Sequence, residues 1–295
     1  MDIVDSQVHI GPGGISEMIA AMDALGIRSV LHDEYWIGTP GHPAYRINDK
    51  VFRPSAPTAE LAAWTHPGRF SYLLRVETFD PELRSIIRLQ RDATYCRALR
   101  ISPGMNRAET ASFAHGDYED VFAGAAECGL PIFVQISGNT DLLAPYLKKF
   151  PSVNVIICHT GMPPGKALVG PFATIEGRPD SMDYWTKVAS EPTDAALDKV
   201  LRIADHPNVA VKWAHAPTMF NTSSYPSEDL RPYFHRMVGA FGSERVMWAS
   251  DITANQTGES WAELMFWVRN DPQLSDAEKA SILGGTARKW LNWEA

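Results

Sequence analysis

The chain has 295 residues, of which 45% are hydrophobic and 21% charged, values near globular averages that exclude wholesale disorder and fibrous repeats. Lys and Arg number 27 against 35 Asp and Glu, and the formal charge of -8 is spread without long like-charge blocks. This excludes a nucleic-acid or anionic-membrane surface as the expected partner and leaves a small molecule.

No apolar run approaches the roughly 20 residues that span a bilayer, and the opening Met1-Asp2-Ile3-Val4-Asp5 lacks the basic start and apolar stretch of a secretion signal, so a soluble, cytoplasmic protein is expected. Cys96, Cys128 and Cys158 are an odd set at wide spacings, which reads as buried thiols rather than disulfides or a cysteine zinc site.

Short β-branched or aliphatic runs recur along the chain, each followed by a segment of helical periodicity. The strands fall at Asp2 to His9, Ser29 to Tyr35, Phe70 to Glu77, Cys96 to Ser102, Pro131 to Ser137, Val153 to Thr160, Val209 to Ala214 and Arg245 to Asp251. Amphipathic stretches lie between them, at Ile15 to Leu25, Asp80 to Arg91, Tyr118 to Cys128, Leu142 to Lys149, Asp194 to Ala204 and Leu230 to Phe241, and a last helix runs from about Asp276 to Trp290. Gly26, Gly129 and Gly242 stand where left-handed helix caps are wanted, and Pro151 and Pro207 precede strands. Eight strands alternating with helices predict a single-domain (β/α)8 TIM barrel over residues 1–295. Trp290 and Trp293 read as an anchor for the last helix, and the aromatic pair Tyr184 and Trp185, taken as an exposed loop, would suit a homodimer.

In such a barrel the chemistry sits on side chains at the C-terminal ends of the strands. Strand one ends in Asp5-Ser6-Gln7-Val8-His9, strand four in Arg100, strand five in Gln135, strand six in His159, strand seven in Lys212 and Trp213, and strand eight in Asp251. Strict alternation would point Asp5, Gln7 and His9 into the barrel together. An Asp that ends an otherwise apolar strand has little packing value, which favours a role for Asp251 in the reaction.

Arg97 and Arg100 are expected to face inward, where a guanidinium needs an anion; Asp5, Glu77 or a substrate carboxylate would serve. Lys212 is expected to face outward or pair structurally, because Val211 and Trp213 alternate with it. Long loops follow strands two, six and seven. They bring Trp36, Tyr225 and His215 toward the catalytic face as candidate substrate-binding residues with Gln7, Arg100 and Gln135, and Tyr35, Tyr45, Phe220 and Trp248 as further aromatic wall.

Asp5-Ser-Gln7-Val-His9, His159-Thr-Gly161 and Ser250-Asp251, in that order at strands one, six and eight, resemble the motifs of the amidohydrolase superfamily in its amidohydrolase-2 branch. The resemblance extends to the strand-seven and strand-eight phrases PNVAVKWA and FGSERVMWASD and covers nearly the whole chain. It implies one divalent ion, zinc or manganese, held here by His9, His159 and Asp251. The departures at Gln7 and Gln135, where the family carries ligands, make a metal-free site an equal expectation, since an amide oxygen is a poor zinc ligand. Lactone-hydrolysing members such as the 2-pyrone-4,6-dicarboxylate lactonases imply a metal-free route, with Asp251 as general base and His9, His159 and Arg100 polarising the carbonyl.

The resemblance thus implies a hydrolase opening a lactone or related cyclic ester, one bearing a carboxylate, with Asp251, His9 and His159 as catalytic residues. The same branch implies an alternative, a non-oxidative decarboxylase of an aromatic or unsaturated acid. A barrel that has lost its catalytic ligands and only binds a molecule is the third reading.

Overall fold

The computed structural model describes residues 1–35, 43–49, 51–174, 182–222, 225–252 and 259–294. Among the described residues ten strands run β1 (Val4–Val8), β2 (Ser29–Asp33), β3 (Ala44–Arg46), β4 (Phe52–Pro54), β5 (Phe70–Arg75), β6 (Cys96–Ile101), β7 (Ile132–Val134), β8 (Val155–Ile157), β9 (Val209–Trp213) and β10 (Val246–Trp248). Eight of them form one parallel sheet in the order β1-β2-β5-β6-β7-β8-β9-β10, and β3 and β4 make a separate antiparallel hairpin. The sheet curls back on itself: the Asp251 amide donates to the Gln7 carbonyl at 3.0 Å, and Ser6 Oγ donates to the Trp248 carbonyl at 2.7 Å. The predicted TIM barrel is therefore present, with each of the eight expected strands in place.

The period of two in the strands sorts apolar side chains into two layers. Val30, Leu99, Ile132, Val155, Val211 and Trp248 pack outward against the helices. Val4, Leu31, Leu73, Ala98, Phe133, Ile156, Cys158, Ala210 and Met247 fill the barrel interior. Trp290, Leu291 and Trp293 join this inner layer, so the end of the chain closes the bottom of the barrel, as the two tryptophans promised. The predicted last helix is interrupted: Asp276–Ala280 and Thr286–Trp290 flank a π-helical turn at Ser281–Gly285. Within this turn Gly284 lets the backbone pack against the entry to β1, where a Cβ would lie 2.0 Å from the Asp2 carbonyl oxygen.

Helices at Pro57–Thr65, Arg107–His115 and Trp261–Arg269 occupy stretches to which the sequence assigns no element, and Met182–Ala189 forms a helix where a loop is expected. Trp185 corrects one expectation directly. It lies in a helix and is fully buried against Val169 and Ala173, so it offers no exposed surface for a second copy. Among the described residues no helix is long and apolar enough to cross a membrane.

Candidate active site

Three residues just beyond strand ends hold left-handed backbone conformations that non-glycine residues adopt only at a cost of about 1–3 kcal/mol. They are His159 after β8 (φ 47°), His215 after β9 (φ 52°) and Asp251 after β10 (φ 60°). Their side chains meet. Asp251 Oδ2 lies 3.0 Å from His159 Nε2 and makes a very short contact with His215 Nε2, while Oδ1 lies 2.8 Å from His9 Nε2. One buried carboxylate is thus ringed by three imidazoles. Burial alone would raise the Asp251 pKa, but His215, His159 and His9 together hold it well below the usual carboxylate range. Burial lowers His159 to about 3, against the pull of Asp251, so this ring is neutral at physiological pH.

The far nitrogens fix which proton each ring carries. His9 Nδ1 donates to the Asp33 carbonyl oxygen at 2.7 Å, and His159 Nδ1 donates to Gln135 Oε1 at 2.5 Å. Gln135 is oriented in turn by donating its own amide to Ser137 Oγ at 2.7 Å. A neutral imidazole with its proton on Nδ1 presents only a lone pair at Nε2. The Nε2 lone pair of the neutral His159 ring therefore faces the Asp251 carboxylate, an arrangement that calls for a cation between them. Imidazoles oriented through Nδ1–H to an oxygen, beside a carboxylate, are the donor set and supporting shell of a divalent-metal site. His159, His215 and Asp251 bring ligand atoms within 4.8 Å of one another. The residues present thus fit a divalent ion, and His215, expected only on the substrate wall, belongs to the centre. Gln135 supports a ring rather than replacing a ligand.

A second polar cluster lies beside the first. Asp33, fully buried at the end of β2, accepts two hydrogen bonds from Arg75 at 2.9 Å each and a very short one from Arg100 Nη1. Burial opposes its ionisation, but Arg100 and Arg75 hold its pKa well below normal. The anion that Arg100 requires is therefore Asp33, not Asp5 or Glu77. Two guanidinium groups share this one carboxylate, and Arg100 Nε finds no partner among the described residues. Gln7 joins the clusters, its amide nitrogen 3.3 Å from both Asp33 Oδ2 and His9 Nε2.

Several expectations need correction. Asp5 does not join Gln7 and His9: the register with β2 shifts between Asp5 and Val8, breaking the alternation, and its carboxylate accepts from Trp261 Nε1 at 2.7 Å and from the amides of Gln7 and Ser250. Lys212 is fully buried, because Val211 and Trp213 pack outward against the helices and period two turns their neighbour into the barrel. Its ammonium lies 5.3 Å from the Phe133 ring centroid, makes no hydrogen bond among the described residues, and has its pKa lowered by burial. Arg97 sits at the bottom, bonded to Ser71 Oγ and the Asn292 carbonyl, because the β5–β6 register also shifts between Tyr72 and Leu73.

Of the aromatic wall, Tyr35 packs on His9 with ring centroids 5.3 Å apart, and Tyr225 stands half-exposed at a cavity that also reaches His215. Phe220 and Trp248 are buried in the outer core, and Tyr45 is exposed on the β3–β4 hairpin. Trp36 lies outside the described residues.

Solved structures of similar architecture include an amidohydrolase from Burkholderia multivorans with bound zinc, 16% identical, with 99% of each chain covered and a TM-score of 0.71. A putative 2-pyrone-4,6-dicarboxylic acid hydrolase from Pseudomonas putida is 16% identical, with 100% of this chain and 98% of that one covered and a TM-score of 0.64. A 5-carboxyvanillate decarboxylase from Novosphingobium aromaticivorans, complexed with manganese and 4-hydroxy-3-methoxy-5-nitrobenzoic acid, is 14% identical, with 99% and 96% covered and a TM-score of 0.59. At these identities the likeness bears on fold alone. A search of curated proteins finds no match. The amidohydrolase family model, however, matches residues 54–293, most of the barrel, and the chain belongs to that family.

Proposed function

We propose that the protein is a hydrolase that opens a lactone or related cyclic ester bearing a carboxylate. The observation that carries this reading is the pairing of two clusters at one barrel mouth: an ionised, buried Asp251 ringed by imidazoles, and two guanidiniums sharing a single Asp33. Beside that shared carboxylate Arg100 Nε has no partner among the described residues, a donor suited to a substrate carboxylate. In this reading Asp251, its pKa held well below the usual carboxylate range by the surrounding imidazoles, takes a proton from an attacking water.

His159, His215 and Asp251 would hold a divalent ion, with His9 against the other oxygen of Asp251. Such an ion would supply a Lewis acid for the ester carbonyl and favour ionisation of water. The orientation of His9 and His159, each with its Nδ1 proton turned away from the centre, favours ligand roles over hydrogen-bond donation to an oxyanion. Zinc and manganese in the similar structures support this reading of the cofactor.

The test is product analysis on a panel of carboxylate-bearing lactones, with the protein as purified and after chelation. One proton released per ring opened, without carbon dioxide, supports the proposal. Carbon dioxide release from aromatic acids, with lactones untouched, would replace it by the decarboxylase reading.

A further inference from the structure

His9 and His159 each have their Nδ1 proton held by an oxygen acceptor, but for His215 Nδ1 no partner is found among the described residues. The cavity behind this ring is walled largely by Trp213, Trp248, Leu264 and Trp267 and has a volume of about 20 Å³. It also contains Glu259, whose Oε2 is buried and has no hydrogen-bond partner among the described residues. A buried donor or acceptor without a partner is uncommon and calls for explanation, and here two unmatched polar atoms line one small apolar cavity.

Two other polar groups there are already engaged. Glu263 Oε2 accepts from the Ser260 amide at 2.7 Å, and Trp267 Nε1 donates to the Pro226 carbonyl at 2.8 Å. Glu259 is also unusual for its place in the chain. It precedes Ser260, the N-cap of the helix Trp261–Arg269, a position where an apolar residue ordinarily packs on the first turn. The Ser260–Glu263 capping box fixes that helix start and with it the entry of Glu259 into the cavity.

We propose that Glu259 is the positioning residue of His215. Its carboxylate accepts the Nδ1 proton of His215 through a single water for which the cavity has room, roughly 10–15 Å³ sufficing for one. Glu259 thereby does for His215 what the Asp33 carbonyl does for His9 and Gln135 does for His159. All three rings then carry their protons outward and turn Nε2 lone pairs toward Asp251. The tautomer is independent of the reaction assigned to the site; only its consequence for rate rests on the function proposed above.

The direct test is the imidazole ¹⁵N spectrum of the full-length, chelated protein at mildly alkaline pH, with His215 assigned by comparison with H215Q. The wild type should carry a proton on Nδ1 of His215. Glu259→Leu should lose it, the proton moving to Nε2 beside Asp251, and Glu259→Gln, whose amide oxygen still accepts, should retain it. Identical Nδ1 protonation in the wild type and E259L would overturn the inference, and should E259L fail to fold, a wild-type His215 carrying its proton on Nε2 instead would overturn it as well. Titration with zinc alone should show E259L weakened about 10- to 100-fold, the usual cost of losing such a supporting group. On a lactone that the wild type opens, kcat should fall by a similar factor with KM within about twofold. A tautomer shift without any effect on rate would sustain the positioning role and count against the site as reaction centre.

Discussion

Replacing Asp33 with Asn tests the electrostatic logic of the barrel mouth. The carboxylate is completely buried, and it is the shared partner of Arg75 and Arg100, themselves nearly buried. The amide keeps the shape and one accepting oxygen but removes the negative charge that Arg100 and Arg75 share. Removing one partner of a buried ion pair costs about 3–5 kcal/mol. With an unfolding entropy of about 2.1 cal/mol/K per residue, that loss lowers Tm by roughly 5–8 °C for a chain of this length.

Thermal unfolding followed by circular dichroism at neutral pH reads this directly. The sign of the pH dependence follows from the depressed pKa of Asp33. Its stabilising contribution is fully present above the unfolded value of about 3.9 and is lost as pH falls through the lower folded value. The gap between wild type and D33N should therefore hold from neutral pH down to about 4 and narrow below. A D33N protein melting within 1 °C of the wild type, or above it, would refute the reasoning.

Burial raises the Asp5 pKa to about 6 despite its hydrogen bonds to Ser250, Gln7 and Trp261. The folded state then binds this proton more tightly than the unfolded chain, so Asp5 should subtract up to roughly 3 kcal/mol of stability as pH rises from about 4 to beyond 6. The difference between wild type and Asp5→Asn in denaturant titrations should change by that amount across the window, and a flat difference would contradict it. At Gly104, a Cβ would stand 2.5 Å from the Ile136 Cα, beside the Gln135 carbonyl that accepts from the Gly104 amide at 2.7 Å. Gly104→Ala should cost about 1–3 kcal/mol in thermal melts, and by displacing the strand end that carries Gln135 it should lower kcat as well. Wild-type stability in that variant would count against the close approach.

The barrel was legible because eight short apolar runs, buried on both faces as parallel strands are, alternate with segments of amphipathic period. The helix Pro57–Thr65 was hidden because it buries only Ala59, Ala62 and Ala63 while exposing Leu61 and Trp64, leaving no apolar stripe to see. At the site, Asp251, His9 and His159 were visible as polar endings of apolar strands. The central place of His215 was not, because a left-handed backbone turn, not strand alternation, brings its ring to Asp251. The same limit explains Asp5 and Lys212. A register shift that no residue type announces turned the first aside, and the second followed the alternation faithfully once Trp213 was seen to pack outward. Asp33 as the anion between two arginines depends on three adjacent strands, a relation that single-strand patterns do not contain.

The most direct measurement of the central claim is the rate of proton release from carboxylate-bearing lactones by the wild type and by Asp251→Asn, with folding of the variant verified by its melting curve. The account predicts ring opening by the wild type and a fall of about 10²–10⁴-fold in kcat for a folded D251N protein, the usual weight of a positioned acid–base group. Undiminished turnover in D251N, or binding of these lactones by the wild type without any ring opening, would contradict it.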